Sequence, residues 1–431
     1  MTTRTTLHTL TAAIIAVTGA SLAQASSMDA ATRSDAEMMT FDPSLTLTYK
    51  NYYFRDKPKS DSGYEIDEWV HGVMADFDSG YVNNKVGAVV TTGFASPISV
   101  KDGFSTSTPT NSKGDGANAI AGFQQAYVKA RYGVDQLEFV LNAGVKVRSF
   151  ELYGDSGSRV LPSSTNGADL TASFADANLY ATRIRGFSAR NDSVFSGDLT
   201  NGSEKIDHLT IVGGNYSVAG VGLAAEVAES TDYLKKSFVK ASYDAGLNDS
   251  TNLSMDVRYG TAKENGKLYA NNDYKSKYYN VNAKVGFGNA YVGLGYNKTA
   301  DGDYDNGFFA GDHGKFNSGL AQWEDNSLQD EKAYVVSAGY NFADQGMAGL
   351  GIDLWYVNGS DAKDIDDFKR REFGSLISYQ FDGQLEGLSV KWLHVNYKAE
   401  GTATGSRTSL PGTIYKEKIN RFYVTYDFLV F

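Results

Sequence analysis

The sequence has no cysteine and only six prolines among its 431 residues. No disulfide can staple the fold, and thiol catalysis and thiolate metal sites are excluded. Beyond the N-terminal stretch no apolar run is long enough for a transmembrane helix, and mean hydropathy is −0.35. Positive charge is in deficit, with 40 Lys and Arg against 51 Asp and Glu and a formal net charge of −11. An acidic chain repels phosphate backbones, which disfavours a nucleic-acid partner. Histidine is sparse and scattered: past the first 25 residues only His71, His208, His313 and His394 occur. There is no H-E-x-x-H and no G-x-S-x-G, so neither a zinc protease nor a serine hydrolase site is indicated, and no cofactor is implied. Gly220 to Ala225 reads as a loose G-x-G-x-x-A, but period-2 segments run on both sides where a dinucleotide site needs a helix after the glycines.

What the chain has in quantity is aromatic and small: 28 Tyr, 23 Phe and 45 Gly. It opens with Arg4, a short apolar stretch from Leu10 to Val17, and the small-residue triplet Ala23-Gln24-Ala25. This pattern predicts a secretory signal peptide over 1–25, too short in its apolar part to span a bilayer. Its removal takes Arg4 and no acid, leaving the mature chain slightly more acidic. No linker-like change of composition divides 26–431, which reads as one domain.

Periodicity carries the fold class. In RYGVDQLEFVLNAGVKVR, residues 131–148, Leu137, Phe139, Leu141, Ala143, Val145 and Val147 alternate with Glu138, Val140, Asn142, Gly144, Lys146 and Arg148. The preceding FQQAYVKARY sets Ala126, Val128, Ala130 and Tyr132 against Gln125, Tyr127, Lys129 and Arg131. Period 2 held over such lengths is strand, not helix. Alternation alone does not separate a soluble sandwich from a membrane barrel. Strands of about ten residues cross a tilted bilayer, tight turns alternate with long Gly/Ser/Asp-rich loops at 97–120 and 300–330, and aromatics gather near strand ends as in NYYF, 51–54, and KYY, 277–279. These features predict an all-β transmembrane antiparallel up-and-down barrel of the outer membrane. Seventeen segments fit the pattern, and single-chain bacterial barrels have an even number of strands. One strand is therefore missed or fused, with the least regular stretch at 149–172. The closing NRFYVTYDFLVF is the expected last strand, pairing with the first. Phe422, Val424, Tyr426 and Phe428 would face lipid and Arg421, Tyr423, Thr425 and Asp427 the lumen, while Phe431 falls out of this register, which suggests a bulge or local turn near Leu429.

Several segments in order resemble the OprD (porin D) family of outer-membrane channels: TLTYKNYYFRD at 46–56, DEWVHGVMADFDSGYVNNKVG at 67–87, SRVLPSSTNGADLTA at 158–172, WEDNSLQDEKAYVVSAGYNFADQGMAGLGIDLWYVNG at 323–359, and RREFGSLISYQFDGQLEGLSVKWLHVNYKAEG followed by the closing strand. The resemblance spans nearly the whole mature chain. It implies an eighteen-stranded barrel with a narrow, loop-constricted pore that passes small solutes by diffusion: amino acids and peptides, carboxylates or, in a chitoporin-like branch, oligosaccharides. It also implies a basic ladder on one wall facing acidic residues on an inward loop. The cations assigned to that wall are Lys129, Arg131, Lys146, Arg148, Arg159 and Arg183, with Arg185 ambiguous in face. The acidic set is Asp155, Asp169 and Asp176, on or near a constriction segment at 149–172. Tyr127, Phe150 and Tyr153 form a candidate aromatic slide for sugar rings. The partners expected are small solutes, outer-membrane lipid and lipopolysaccharide, and the assembly machinery that reads an aromatic C-terminal strand. Lipid-facing and partner-facing apolar residues look alike, so monomer and trimer both fit.

One further motif is DGDYDNGFFAGD, 301–312. Asp301, Asp303, Asp305 and Asp312 approach calcium-loop spacing, but the glycine falls one place late and no helices flank it. A solvated acidic loop is the preferred reading. Two other functions remain in view: a surface receptor or adhesin with a plugged lumen, and a hydrolase acting at the barrel rim.

Overall fold

The computed structural model describes residues 42–58, 65–320, 323–407 and 416–431, and the predicted signal peptide lies outside these. Twenty strands follow one another: β1 (Ser44–Asp56), β2 (Ile66–Asp78), β3 (Val86–Val100), β4 (Ile120–Val134), β5 (Leu137–Lys146), β6 (Ser164–Phe174), β7 (Ala177–Ser188), β8 (Gly197–Thr200), β9 (Lys205–Ile206), β10 (Leu209–Val218), β11 (Val221–Ser230), β12 (Leu234–Asn248), β13 (Thr251–Glu264), β14 (Lys275–Phe287), β15 (Ala290–Ala300), β16 (Lys332–Asn341), β17 (Leu350–Ser360), β18 (Ile365–Gln380), β19 (Leu388–Ala403) and β20 (Lys416–Leu429). The short β8 and β9 form a hairpin above the wall, and β7 pairs directly with β10. The other eighteen make one closed antiparallel barrel in which β20 pairs with β1. The strand absent from the seventeen-segment reading is β6, inside the stretch where the alternation is least regular.

Closure explains the C-terminal sequence. Eleven positions of β1 pair with β20, from Thr46 opposite Leu429 to Asp56 opposite Ile419. The Val430 amide donates to the Leu45 carbonyl, while the Leu45 amide donates to Phe431, one residue further on. Two residues thus face one, the bulge anticipated near Leu429. Tyr52 and Tyr423 meet inside the barrel with rings 4.9 Å apart. Among the described residues the barrel wall is left with no edge strand for pairing with another chain.

The outward face is apolar at mid-height. Leu141 faces Leu170 across β5 and β6, and Val257 lies between Ala241 and Val281 across β12 to β14. These side chains stand about half exposed in the isolated chain, whereas Lys129, Asn142 and Asp169 on the other face are buried. A soluble sandwich would show the opposite distribution. Connections of two residues at 135–136, 175–176, 219–220, 249–250 and 288–289 gather at one end with the start of β1 and the end of β20. The long connections 101–119, 147–163, 189–208 and 301–331 lie at the other end. Short turns mark the periplasmic end of such barrels and long loops the outer end.

Replacing Val257 by Arg should cost about 2–4 kcal/mol, as for a cation at the midplane of hydrocarbon. Reversible folding into lipid vesicles measures it. A cost below about 1 kcal/mol, the value for an interfacial site, would place this face outside the lipid core.

Candidate functional site in the loop-filled lumen

A barrel of eighteen strands encloses far more space than its own inward side chains fill. Here long loops fold back to narrow it. Each insertion is held by a glutamate that rises from the wall and is itself almost fully buried. Glu68 on β2 accepts hydrogen bonds from the Thr106 and Ser107 amides, at 2.8 and 3.3 Å, and from the hydroxyls of Ser105, Thr106 and Ser107. Glu226 on β11 accepts from the Glu151 and Leu152 amides at 2.9 and 2.7 Å, and from the Tyr180 hydroxyl. Glu372 on β18 accepts from the Trp323 amide at 3.0 Å, the Glu324 amide at 3.2 Å and the Trp355 indole at 2.6 Å. A carboxylate taken out of water needs such donors, and a loop amide taken out of water needs such an acceptor.

Apolar side chains then lock the loops in place. Val160, Leu161 and Leu320 pack with Tyr52, Phe54, Val70, Trp355 and Val395 of the wall. Leu152, Tyr153, Phe308, Phe309 and Phe316 pack with Ile184, Leu209, Phe238 and Tyr278 on another part of the wall. Loop 147–163 therefore crosses the lumen from one apolar cluster to the other. It also docks on loop 301–331: Asp155 bridges to His313, Lys315 Nζ donates to the Phe150 carbonyl at 2.9 Å, and Asn317 Nδ2 donates to the Glu151 carbonyl at 3.0 Å. The His313 imidazole lies 3.6 Å from Phe309, and burial pushes it down to about 3, so it is neutral in place.

The residues predicted from sequence separate into several groups. Arg148, Asp155 and Asp169 meet at the root of loop 147–163: Arg148 Nε donates to Asp169 Oδ1 at 2.8 Å, and the Arg148 amide donates to Asp155 Oδ2 at 2.7 Å. All three are buried, and burial pushes the Asp155 carboxyl up to about 6. Asp169 belongs to β6, so the inward segment ends before Ser164. Lys146 stands 3.7 Å from Asp169 and above the Tyr127 ring. Lys129 and Arg131 sit lower, near the periplasmic turn, where Lys129 pairs with Asp78 at 2.7 Å and both stack on Tyr81.

Three placements correct the sequence reading. Arg183 is exposed on the outer face of β7, paired across from Thr210 and close to Asp207 and His208. The inward positions of that strand are Tyr180, Thr182 and Ile184, where an apolar residue is used because loop 147–163 covers it. Asp176 is exposed in the two-residue turn between β6 and β7, far from any inserted loop. Tyr127, Phe150 and Tyr153 make no common platform: Phe150 stacks on Tyr180 at 5.3 Å, and Tyr153 is fully buried with its hydroxyl on Asp155. In the 301–312 motif each carboxylate has its own partner. Asp301 pairs with Lys277 and Asp303 with Arg407, Asp305 accepts from the Tyr269 hydroxyl, and Asp312 meets Arg190. Among the described residues no cluster of three metal-ligating side chains occurs.

Around Arg159 a cationic group forms that the sequence reading reached only in part. Arg159 donates to the Thr106 hydroxyl at 2.6 Å and lies over Phe54. Arg421 of β20 covers the same Phe54 ring at 4.5 Å and Trp323 at 4.4 Å. Arg190 donates to the Ser156 and Ser158 hydroxyls, and Lys50 reaches the Arg159 carbonyl at 3.4 Å. Burial, then the nearby Arg159, lowers Arg190 to about 9, which leaves it charged at neutral pH. Arg190 has no strand alternation to betray it, since it lies in loop 189–196. The second inserted loop, 301–331, was also missed as lumenal. Its signal is the density of Phe308, Phe309, Phe316 and Trp323 in a polar stretch.

A closed membrane barrel, acidic overall, narrowed by its own loops around a stack of arginines, is a transmembrane channel of the outer membrane. The profile described as outer membrane porin, OprD family, matches residues 40–428. The chain belongs to this family, whose members are channels for small solutes. Porin D of Pseudomonas aeruginosa is 27% identical over 362 residues, covering 79% of each chain. The structure is similar to that of Pseudomonas aeruginosa OccK9 (OpdG), with a TM-score of 0.77 at 18% identity, over 90% of this chain and 99% of that one. It is also similar to Acinetobacter baumannii OccAB2, TM-score 0.76 at 19% identity over 90% and 98%, and to Pseudomonas aeruginosa OpdK with vanillate, TM-score 0.75 at 20% identity over 90% and 99%.

Two outcomes follow from the loop anchoring. Glu226→Ala strands two buried amides, each at a cost of about 1–3 kcal/mol, and should free loop 147–163 while the barrel stays folded. Single-channel conductance should rise roughly twofold or more; an unchanged conductance in a heat-modifiable, inserted variant would refute the anchoring role. Burial pushes the Glu324 carboxyl up to about 8. A raised folded pKa favours the docked loop while Glu324 is protonated, fully so below its ordinary range, and the benefit is lost as pH rises through about 8. Current fluctuations should therefore grow between about pH 5 and pH 8 and level off above it, and Glu324→Gln should flatten that rise. Equal pH dependence in both proteins would assign it to another group.

Proposed function

We propose that the chain is a substrate-selective diffusion channel whose preferred solutes carry a carboxylate, passed from outside into the periplasm with no bond made or broken. The observation that carries this reading is the unfinished coordination of the arginine stack. Arg421 Nε is buried and has no hydrogen-bond partner among the described residues. Glu68, 4.0 Å from Arg159, is already engaged by the serine and threonine donors of loop 101–119. A guanidinium whose face is on an aromatic ring can turn its edge to a carboxylate in a bidentate contact. Successive cations let such a solute exchange one partner for the next, which favours passage over trapping. The similar OpdK structure is one with vanillate, an aromatic carboxylate, and this supports the same solute chemistry here. Tyr423, half-buried beside the stack and packed on Tyr52, would offer its ring to the apolar part of the solute.

In a planar bilayer, benzoate should block the open channel saturably, while chitohexaose and lysine amide should not. Arg421→Gln should weaken the benzoate block about tenfold, the loss of one charge-assisted hydrogen bond. Equal block by chitohexaose would move the preference to sugars. Absence of openings from inserted protein would favour a receptor with a plugged lumen.

A further inference from the structure

The outer wall at the long-loop end carries a band of lysines that the pore does not use. Lys235, Lys263 and Lys275 stand directly opposite one another across β12, β13 and β14. Lys277 follows two residues below Lys275 on the same face, and Lys298 and Lys332 oppose each other across β15 and β16. Three carboxylates answer these six cations: Glu229 at 3.0 Å from Lys235, Asp301 at 3.0 Å from Lys277, and Asp361 at 3.3 Å from Lys332. Lys263, Lys275 and Lys298 have no ion-pair partner among the described residues.

Like charges placed opposite one another on neighbouring strands destabilise a sheet. A chain with a net charge of −11 has carboxylates to spare, yet it leaves this row unneutralised. The height of the row is informative. Tyr259 and Tyr279 lie next below on the same face, with rings 5.1 Å apart, followed by exposed Tyr296 and Tyr334. Tyrosines of this kind mark the boundary between hydrocarbon and headgroups. The lysines therefore stand at headgroup level, on the leaflet facing the long loops.

We propose that this band is a binding site for the phosphate groups of the anionic glycolipid of the outer leaflet. Free inorganic phosphate matches the cations but not their position beside an apolar wall, where an acyl chain lies along Val239, Val257 and Val281 while its headgroup reaches the lysines. Long flexible ammonium side chains suit such a site, since they extend from the wall toward charge at the interface. The inference concerns the outer wall and stands independently of which solute the lumen prefers.

The test compares the wild type with a Lys263→Gln/Lys275→Gln/Lys298→Gln variant, both refolded and verified by heat-modifiable mobility. Lipid A and dephosphorylated lipid A in detergent are the probes, and retained lipid is counted by native mass spectrometry. Each lysine near an anionic headgroup contributes about fivefold, so the triple variant should bind lipid A at least tenfold more weakly, while benzoate block of the pore is unchanged. The single Lys263→Gln variant, which removes the middle of the row, gives the same comparison at about fivefold should the triple variant refold poorly. Equal retention of the two lipids by the wild type, or unchanged lipid A binding in the variants, would overturn the proposal. So would displacement of lipid A by millimolar inorganic phosphate, which would show a simple anion site.

Discussion

Everything inside this barrel depends on one kind of contact: a buried wall glutamate accepting hydrogen bonds from the backbone amides of an inserted loop. Glu68, Glu226 and Glu372 repeat it on three strands far apart in sequence. The arrangement solves two desolvation problems with one set of bonds. The loops leave water and need acceptors for their amides, and the carboxylates leave water and need donors. Neither is stable in the lumen without the other. The apolar packing of Leu152, Leu161 and Phe308 adds area but no direction. The glutamates fix where each loop lies, and through the loops they fix where Arg159 and Arg190 stand.

The barrel was legible because its wall is a long run of simple alternation. A lipid-exposed residue must be apolar and its neighbour along the strand faces the lumen, so one rule reads every strand. The rule fails where a lumenal position is covered by a loop. Ile184 is then apolar on the inward face, and Arg183 beside it reads as the lumenal residue when it is not. A different feature hid β6, whose inward Asp169 and neighbouring Gly167 look like loop residues in sequence. The pairing of the C-terminal strand with β1 could be foreseen from closure, and the irregularity at Val430 from Phe431 falling out of the strand's alternation.

The lumenal loops obey no period, and this limited the reading of the site. Phe150 and Tyr153 drew attention as aromatics on a segment expected to constrict the pore. The physical alternative, that they serve as the loop's own core, is what packing against Tyr180 and His313 shows. Aromatic density in a loop signals that the loop will be buried, not that its rings will be offered to a ligand. By that criterion 301–331, with Phe308, Phe309, Phe316 and Trp323, was the stronger candidate for insertion.

The two kinds of cation suit different surroundings for a physical reason. Guanidinium is planar, weakly hydrated and content to lie on a ring, so it can be carried into a narrow lumen at less cost than ammonium. Arg159 and Arg421 on Phe54, and Arg370 hydrogen-bonded to Glu331 at 2.6 Å, are placed in this way. Ammonium is compact and strongly hydrated and suits the rim, where Lys235, Lys263 and Lys275 remain exposed. Lys236 shows the cost of an ammonium carried inward. It is buried beneath loop 301–331, its Nζ lacks a hydrogen-bond partner among the described residues, and it lies 4.1 Å from the Phe308 ring centre. One face of an aromatic ring replaces little of an ammonium's hydration. At that point the loop is held by its hydrophobic contacts and by the Ser230 hydroxyl, which donates to the Phe308 carbonyl at 2.6 Å, against an opposing cost that weakens the hold on this segment. Its other attachments, at Glu372 and at Glu331, lie further along the loop and would still hold when that segment moves.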